Sequence, residues 1–252
     1  MSGHSKWATT KHRKAAQDSK RSALFSKLSR VITVAAKTGG DPSPENNASL
    51  AAAIAKAKSY SLPKEKIQTA IDKAFGAGAG ANYDEVVYEG YGSGGIAVYA
   101  EALTDNRNRT AADVRAAFTR AGGSLGATGS VAFQFERKGE IVIDKSAAPD
   151  EEALLLAVMD AGGDDLEDND DEFVVLTEPG TVMAVKNALE GSGIEVKGAE
   201  LTMRAKTPVA VEVDTARKVM RLVDHLEESD DIQDVYTNIE MTEELAAALD
   251  QD

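Results

Sequence analysis

The sequence predicts an α+β chain: an N-terminal three-helix domain followed by two ferredoxin-like α/β domains, one inserted into the other. Three observations carry this. Apolar residues recur at helical spacing up to Ala74, and a strand-helix-strand rhythm takes over after the small-residue segment AGAGAN at 77–82. Residues 140–203 hold a complete βαββαβ order, the split βαβ sandwich. The flanking segments 95–137 and 208–238 each hold half of another.

The elements follow in chain order. Residues 2–17 show no sustained periodicity and predict an arm. From Ser19, Leu24, Phe25, Leu28, Val31, Ile32 and Ala35 fall on one helical arc, while Lys20, Lys27, Arg30 and Lys37 fall on another, until Gly39-Gly40 stops the helix. Ser43 as N-cap with Pro44 behind it predicts a second helix whose apolar line is Leu50, Ile54 and Ala57. Pro63 opens a third, with Ile67, Ala70, Ile71 and Ala74 on its inner face and Gly76 at its end. Lys56, Lys58, Lys64 and Lys66 are left outside this bundle.

Gly95–Leu103 alternates as a strand, Thr110 to Asp113 reads as a capping box opening a helix through Ala121, and Ser130–Arg137 reads as a second strand. The inserted set is strand 140–144, helix 150–160, an acidic hairpin of 164–167 and 172–177, helix 180–190 and strand 195–203. Strand 208–213, helix 215–228 and strand 232–238 complete the interrupted domain. The expected boundaries are 1–80, 81–138 with 206–240, 139–205, and an acidic tail at 241–252.

Charge is segregated along this order. Residues 1–80 carry 14 basic and 5 acidic side chains, whereas residues 81–252 carry 14 and 37, giving +9 and −23 in a chain of net charge −14. Lys and Arg neutralise phosphates and release condensed counterions, so the basic end predicts a docking surface for a polyanion. The acidic remainder repels nucleic acid beyond roughly a Debye length, about 8 Å at physiological salt. The candidate contacts are Lys6, Trp7, Lys11, His12, Arg13, Lys14, Lys20, Arg21, Lys27 and Arg30, joined by Arg107 and Arg109 of TDNRNR. Trp7 suits stacking on a base and equally suits anchoring the arm. Arg107 and Arg109 precede a helix N-terminus, where they suit either a phosphate clamp or ion pairs with the body's own acids, Asp84 or Glu85 among them.

Other chemistries find no support. With no cysteine there are no disulfides, thiol nucleophiles or Cys-based zinc sites. His4 and His12 lack partners at metal-ligand spacing, and no metal or cofactor is expected. GYGSGG (90–95) precedes a strand where a dinucleotide fingerprint follows one, and GGSLGATGS (122–130) lacks the Gly-Lys-Ser/Thr of a phosphate loop; both read as tight turns. The acidic run Asp164 to Glu172 lacks the alternation of a calcium loop, and reads as a solvated hairpin edge or a surface for a basic partner. His225 reads as a surface residue. No nucleophile, base and orienting group stand together, so no enzyme is expected. No apolar run approaches the ~18 residues that span a bilayer, and no apolar leader opens the chain, so the expectation is a cytoplasmic monomer without membrane contact or small-molecule substrate.

GHSKWATTKHRKAAQDSKR (3–21), YEGYGSGG (88–95), LTDNRNRT (103–110) and GGSLGATGSV (122–131) together resemble the YebC family. The resemblance runs from residue 2 to about Asn238. It implies an N-terminal helical domain followed by two α/β domains, one inserted into the other. It also implies a DNA-binding transcriptional regulator or, by likeness to the family's mitochondrial branch of translational activators, an RNA-binding translation factor on the ribosome. The chain departs from the family where Asn-Pro-basic-Leu-basic commonly opens the second helix: Asn47-Ala48-Ser49-Leu50-Ala51 has no cation.

Overall fold

The computed structural model describes residues 18–76, 83–148, 150–169 and 171–249. The arm (Lys6, Trp7, Lys11, His12, Arg13 and Lys14 with it) and the 77–82 segment lie outside the described residues, as do the side chains of Lys20 and Arg21. The chain divides into two compact units, Glu136–Arg204 and the remainder on either side of it.

The larger unit begins with helices α1 (Asp18–Gly39), α2 (Ala48–Ser59) and α3 (Lys64–Phe75). Their contacting faces follow the expected stripe on α3, where Ile67, Ala70, Ile71 and Ala74 are buried, and shift by one residue on the others. Leu28 and Ile32 of α1 are joined by Ala36 with Ala35 only partly buried, and Leu50 and Ala57 of α2 by Ala53 with Ile54 only partly buried. The second helix starts later than expected. Its cap is Asn47, not Ser43: Asn47 Oδ1 accepts from the Leu50 amide at 3.0 Å, while Nδ2 donates to Ala35 O at 2.9 Å. One buried side chain thus satisfies the first turn of α2 and ties it to α1. Gly39 is required there, since a Cβ would stand 2.1 Å from Asn47 Nδ2.

The same unit continues through β1 (Asp84–Tyr91), β2 (Ala97–Thr104), α4 (Arg107–Arg120), β3 (Ser124–Leu125), α7 (Val213–Glu227), β8 (Ile232–Thr237) and α8 (Glu243–Leu249). The sheet order is β3-β1-β2-β8, with β1 and β2 an antiparallel hairpin from Asp84↔Thr104 to Tyr91↔Ala97. Its core sets Val98, Ala100 and Ala102 of β2 against Val114, Phe118, Val219, Leu222 and Leu226 of the two long helices. The tail joins that core, with Met241 and Leu245 buried in it.

The strand membership corrects the sequence reading. The place expected for 208–213 in the split βαβ order is taken by β1, and 208–213 keeps only an isolated bridge, Val209 to Ile239. Segment 130–137 is not a strand of this sheet: residues 132–134 form a 3₁₀ turn, and Phe135 opens a strand of the other unit. Helix α4 starts at Arg107 because Asn106 caps it, accepting from the Arg109 amide at 3.1 Å, so Thr110 lies inside the helix and is not its cap.

The second unit is built on β4 (Phe135–Asp144), α5 (Glu151–Ala161), β5 (Asp165–Asn169), β6 (Glu172–Thr177), α6 (Val182–Gly191) and β7 (Gly198–Ala205). The order β5-β6-β4-β7 is that of a ferredoxin-like sheet, packed through Ile141, Ile143, Phe173 and Val175 against Leu154, Val158, Val185 and Leu189. The two four-stranded sheets and the N-terminal bundle agree with the expected fold class.

Candidate nucleic-acid interface

The cations of α1, α3 and α4 meet two environments, and Arg30 touches both. Toward the α/β body, they converge on one acid. Asp231, 5% exposed, stands just before β8. Arg30 reaches its Oδ1 at 2.8 Å, and Arg109 reaches Oδ2 at 2.7 Å. Thr110 donates to the same Oδ2 at 2.7 Å, with Thr104 at 3.2 Å. Arg30 also donates to Leu103 O at 3.0 Å and Asp230 O at 2.8 Å. Burial pushes the Asp231 carboxyl up, but the bonds from Arg109, Thr110 and Arg30 outweigh it and hold the group below the ordinary carboxylate value. Asp231 and Asp105 in turn raise the Arg109 pKa. Lys27 is engaged on the same side, donating to Glu227 O at 2.7 Å.

Two expected ligand contacts, Lys27 and Arg30, therefore join the helical bundle to the α/β body, and a third, Arg109, is held inside that body by the same Asp231. The acid that holds the two arginines is Asp231, with Asp105 a second partner of Arg109, rather than Asp84 or Glu85. Arg107, in the first turn of α4, is exposed.

On the other side, α1 and α3 leave an open groove of about 520 Å³. Among the described residues, four cations line it, Arg30, Lys37, Lys66 and Lys73, together with Phe25, Tyr83 and four hydroxyl residues, and no acid. Lys66 lies over the Phe25 ring at 5.2 Å and Arg30 over the Tyr83 ring at 5.0 Å. Thr33 closes its floor by donating to Ala70 O at 2.8 Å. Such a lining can hold an anion whose body is flat and partly apolar. Sequence reasoning left out Lys73 and Tyr83 and counted Lys66 only as an outward-facing cation. The signal was present: Lys66, Thr69, Ala70 and Lys73 recur at i, i+3, i+4 and i+7.

The glycine-rich motifs meet at a second carboxylate. Glu89 of β1, 3% exposed, accepts from the amides of Gly129 (2.6 Å), Val131 (2.8 Å) and Ala132 (2.7 Å). Burial raises its pKa, and the three amides lower it further than burial lifts it. YEGYGSGG and GGSLGATGSV are thus two halves of one fixed turn. In the second unit, cations offset part of the acidic hairpin: Lys145 pairs with Asp168, Lys197 with Glu172, and Arg204 with Glu167 at 2.6 Å and Glu140 at 2.9 Å. His225 lies 3.6 Å from Glu228 on the surface of α7. Among the described residues, no group of His and carboxylates is arranged to hold a metal, and no helix is long and apolar enough to cross a membrane.

Comparisons with known proteins agree with this architecture. Residues 5–77 match the model of the TACO1/YebC protein N-terminal domain, and residues 83–239 that of the TACO1/YebC second and third domain. A protein of Lactobacillus helveticus named probable transcriptional regulatory protein is 55% identical over 238 residues, 94% of this chain and 98% of its own length. One of the same name from Nocardia farcinica is 48% identical over the full length of both. The crystal structure of a conserved hypothetical protein from Aquifex aeolicus superposes with a TM-score of 0.80 at 42% identity, covering 90% of this chain and 93% of that one. By its two domain matches and by whole-length identity to these relatives, the chain belongs to the TACO1/YebC family.

Proposed function

We propose that this protein is a non-enzymatic, cytoplasmic regulator of gene expression that acts by binding nucleic acid through its N-terminal end, as a DNA-binding transcriptional regulator in keeping with the name its relatives carry. One observation supports this above the others: a chain of net charge −14 concentrates positive charge in its first 80 residues, where Lys37, Lys66 and Lys73 line the α1–α3 groove beside Arg30, itself paired with Asp231. Lys6, Lys11, Arg13, Lys14, Lys20 and Arg21 would meet phosphates along the backbone, with Trp7 and His12 beside them and exposed Arg107 at the far edge. Lys27 and Arg30 are spent on the protein itself, tying α1 to the α/β body, and Arg109 is held within that body by Asp231.

A second reading, a ribosome-associated translation factor that binds RNA, is favoured by half-buried Tyr83 in the groove lining, because unpaired bases stack on aromatic rings. Phosphate contacts alone carry no information about the sugar. Chromatin immunoprecipitation and ribosome cosedimentation from the same cells separate the two. Enrichment on DNA with no ribosomal fraction supports the transcriptional reading, and the reverse transfers the function to RNA. Removing residues 1–17 should abolish binding while leaving the circular dichroism of the α/β body intact. Full affinity after that truncation would refute the proposal.

A further inference from the structure

We infer that the α1–α3 groove is a single-strand site, seating one or two unpaired nucleotides with a base against Tyr83 and phosphates toward Lys66 and Lys73. The inference rests on the nucleic-acid reading above and specifies the strand. The groove's volume, about 520 Å³, lies in the range of small-ligand sites, roughly 300–1,000 Å³. A duplex keeps its bases stacked inside, and can touch such a groove only along its rim unless a nucleotide is flipped out. An unpaired nucleotide has both parts the lining asks for, a flat π-face and an anion. Lys66 and Lys73 lie two turns apart on α3, about 10 Å by helix rise, so they address successive parts of one backbone. Arg30 is held by Asp231, Leu103 O and Asp230 O and also lies over the Tyr83 ring, so that ring is backed by a fixed cation on one side.

The test uses the full chain in fluorescence-anisotropy titrations against oligouridylate, oligodeoxyuridylate, an abasic strand and a blunt duplex, all twelve nucleotides long. The expected result is that both base-bearing strands bind at least about fivefold more tightly than the abasic strand, the lower bound for one stacked base. Tyr83→Leu should erase most of that difference at unchanged salt dependence. Lys66→Ala with Lys73→Ala should instead lower the single-strand salt slope by about 1.4, two contacts' worth, and leave the fold intact because exposed cations add little to stability. Should circular dichroism show Tyr83→Leu misfolded, the Lys66→Ala, Lys73→Ala chain decides the matter: an undiminished single-strand salt slope there overturns the site. Equal affinity for abasic and base-bearing strands overturns the single-strand site while nucleic-acid binding survives. No salt-sensitive binding to any of the four probes overturns both. A preference between the two base-bearing strands supports the site and identifies the sugar it accepts.

Discussion

Replacing Asp231 with Asn should loosen the joint between the helical bundle and the α/β body by about 3 kcal/mol. Breaking a buried ion pair by removing one partner costs roughly 3–5 kcal/mol. The lower end applies because each stranded group has a fallback. Arg30, 19% exposed at its side chain, keeps Leu103 O and Asp230 O. Arg109, half exposed, keeps Asp105 and contributes little. Thr110 keeps the Thr104 hydroxyl at 2.7 Å and Asn106 O at 3.1 Å. What Asn cannot do is neutralise Arg30, and its amide N–H groups point donors at donors. Hydrogen exchange followed by mass spectrometry reads this regionally: 3 kcal/mol is roughly a hundredfold faster exchange in α1, the first turn of α4 and β8. Pairing Asp231→Leu with Arg30→Met, which removes both charges, should cost less than the two single changes added together. Exchange within threefold of wild type for Asp231→Asn, or strict additivity in the pair, would refute the assignment of Asp231 as the joint.

Two of the buried glutamates should give opposite pH signatures. Glu140 in β4 has its pKa raised to about 7, by burial first and by Glu200 and Glu167, against the opposing pull of Arg204. Its folded value lies above its ordinary 4.5, so the second unit binds the extra proton when folded and loses stability as pH rises from about 4.5 through about 7. Glu140→Gln should flatten that slope in urea melts taken across the interval. Glu89 has its folded value lowered instead, so its contribution is complete above its ordinary 4.5 and is lost as pH falls through the folded value. Glu89→Gln, which keeps a single acceptor oxygen for three amides, should cost about 2–3 kcal/mol at neutral pH and speed exchange at Gly129, Val131 and Ala132.

Legibility in the sequence follows the range of the interactions. The stripes of α1 and α3 could be read directly, because helix periodicity is local and one apolar face decides it. The complete βαββαβ order of the inserted unit was equally readable, since its strands carry runs such as EIVID and EFVVL. The first strand of the other sheet was not. Asp84–Tyr91 carries three acids and a glycine, and it is a strand because β2 and β3 pair with it from either side. Gly90 belongs to that pairing: a Cβ there would stand 2.5 Å from Ser124 O and 2.6 Å from the Phe118 ring. Nothing in the sequence singles out Glu89 or Asp231, because their partners lie 40 to 43 and 121 to 201 positions away. The candidate interface divided the same way. The basic face of α1 was visible, but which of its cations the protein keeps for itself depends on an acid near the other end of the chain.

The central claim is that the basic N-terminal end grips a polyanion, and the salt dependence of nucleic-acid binding tests it most directly. With five cations on phosphates, log Kd against log salt should rise with a slope near 4.5 on duplex DNA or about 3.5 on a single strand. Replacing Lys11, Arg13, Lys14 and Lys20 with Ala should remove most of that slope while the fold persists. A flat salt response, or an undiminished slope in the quadruple variant, would contradict the account.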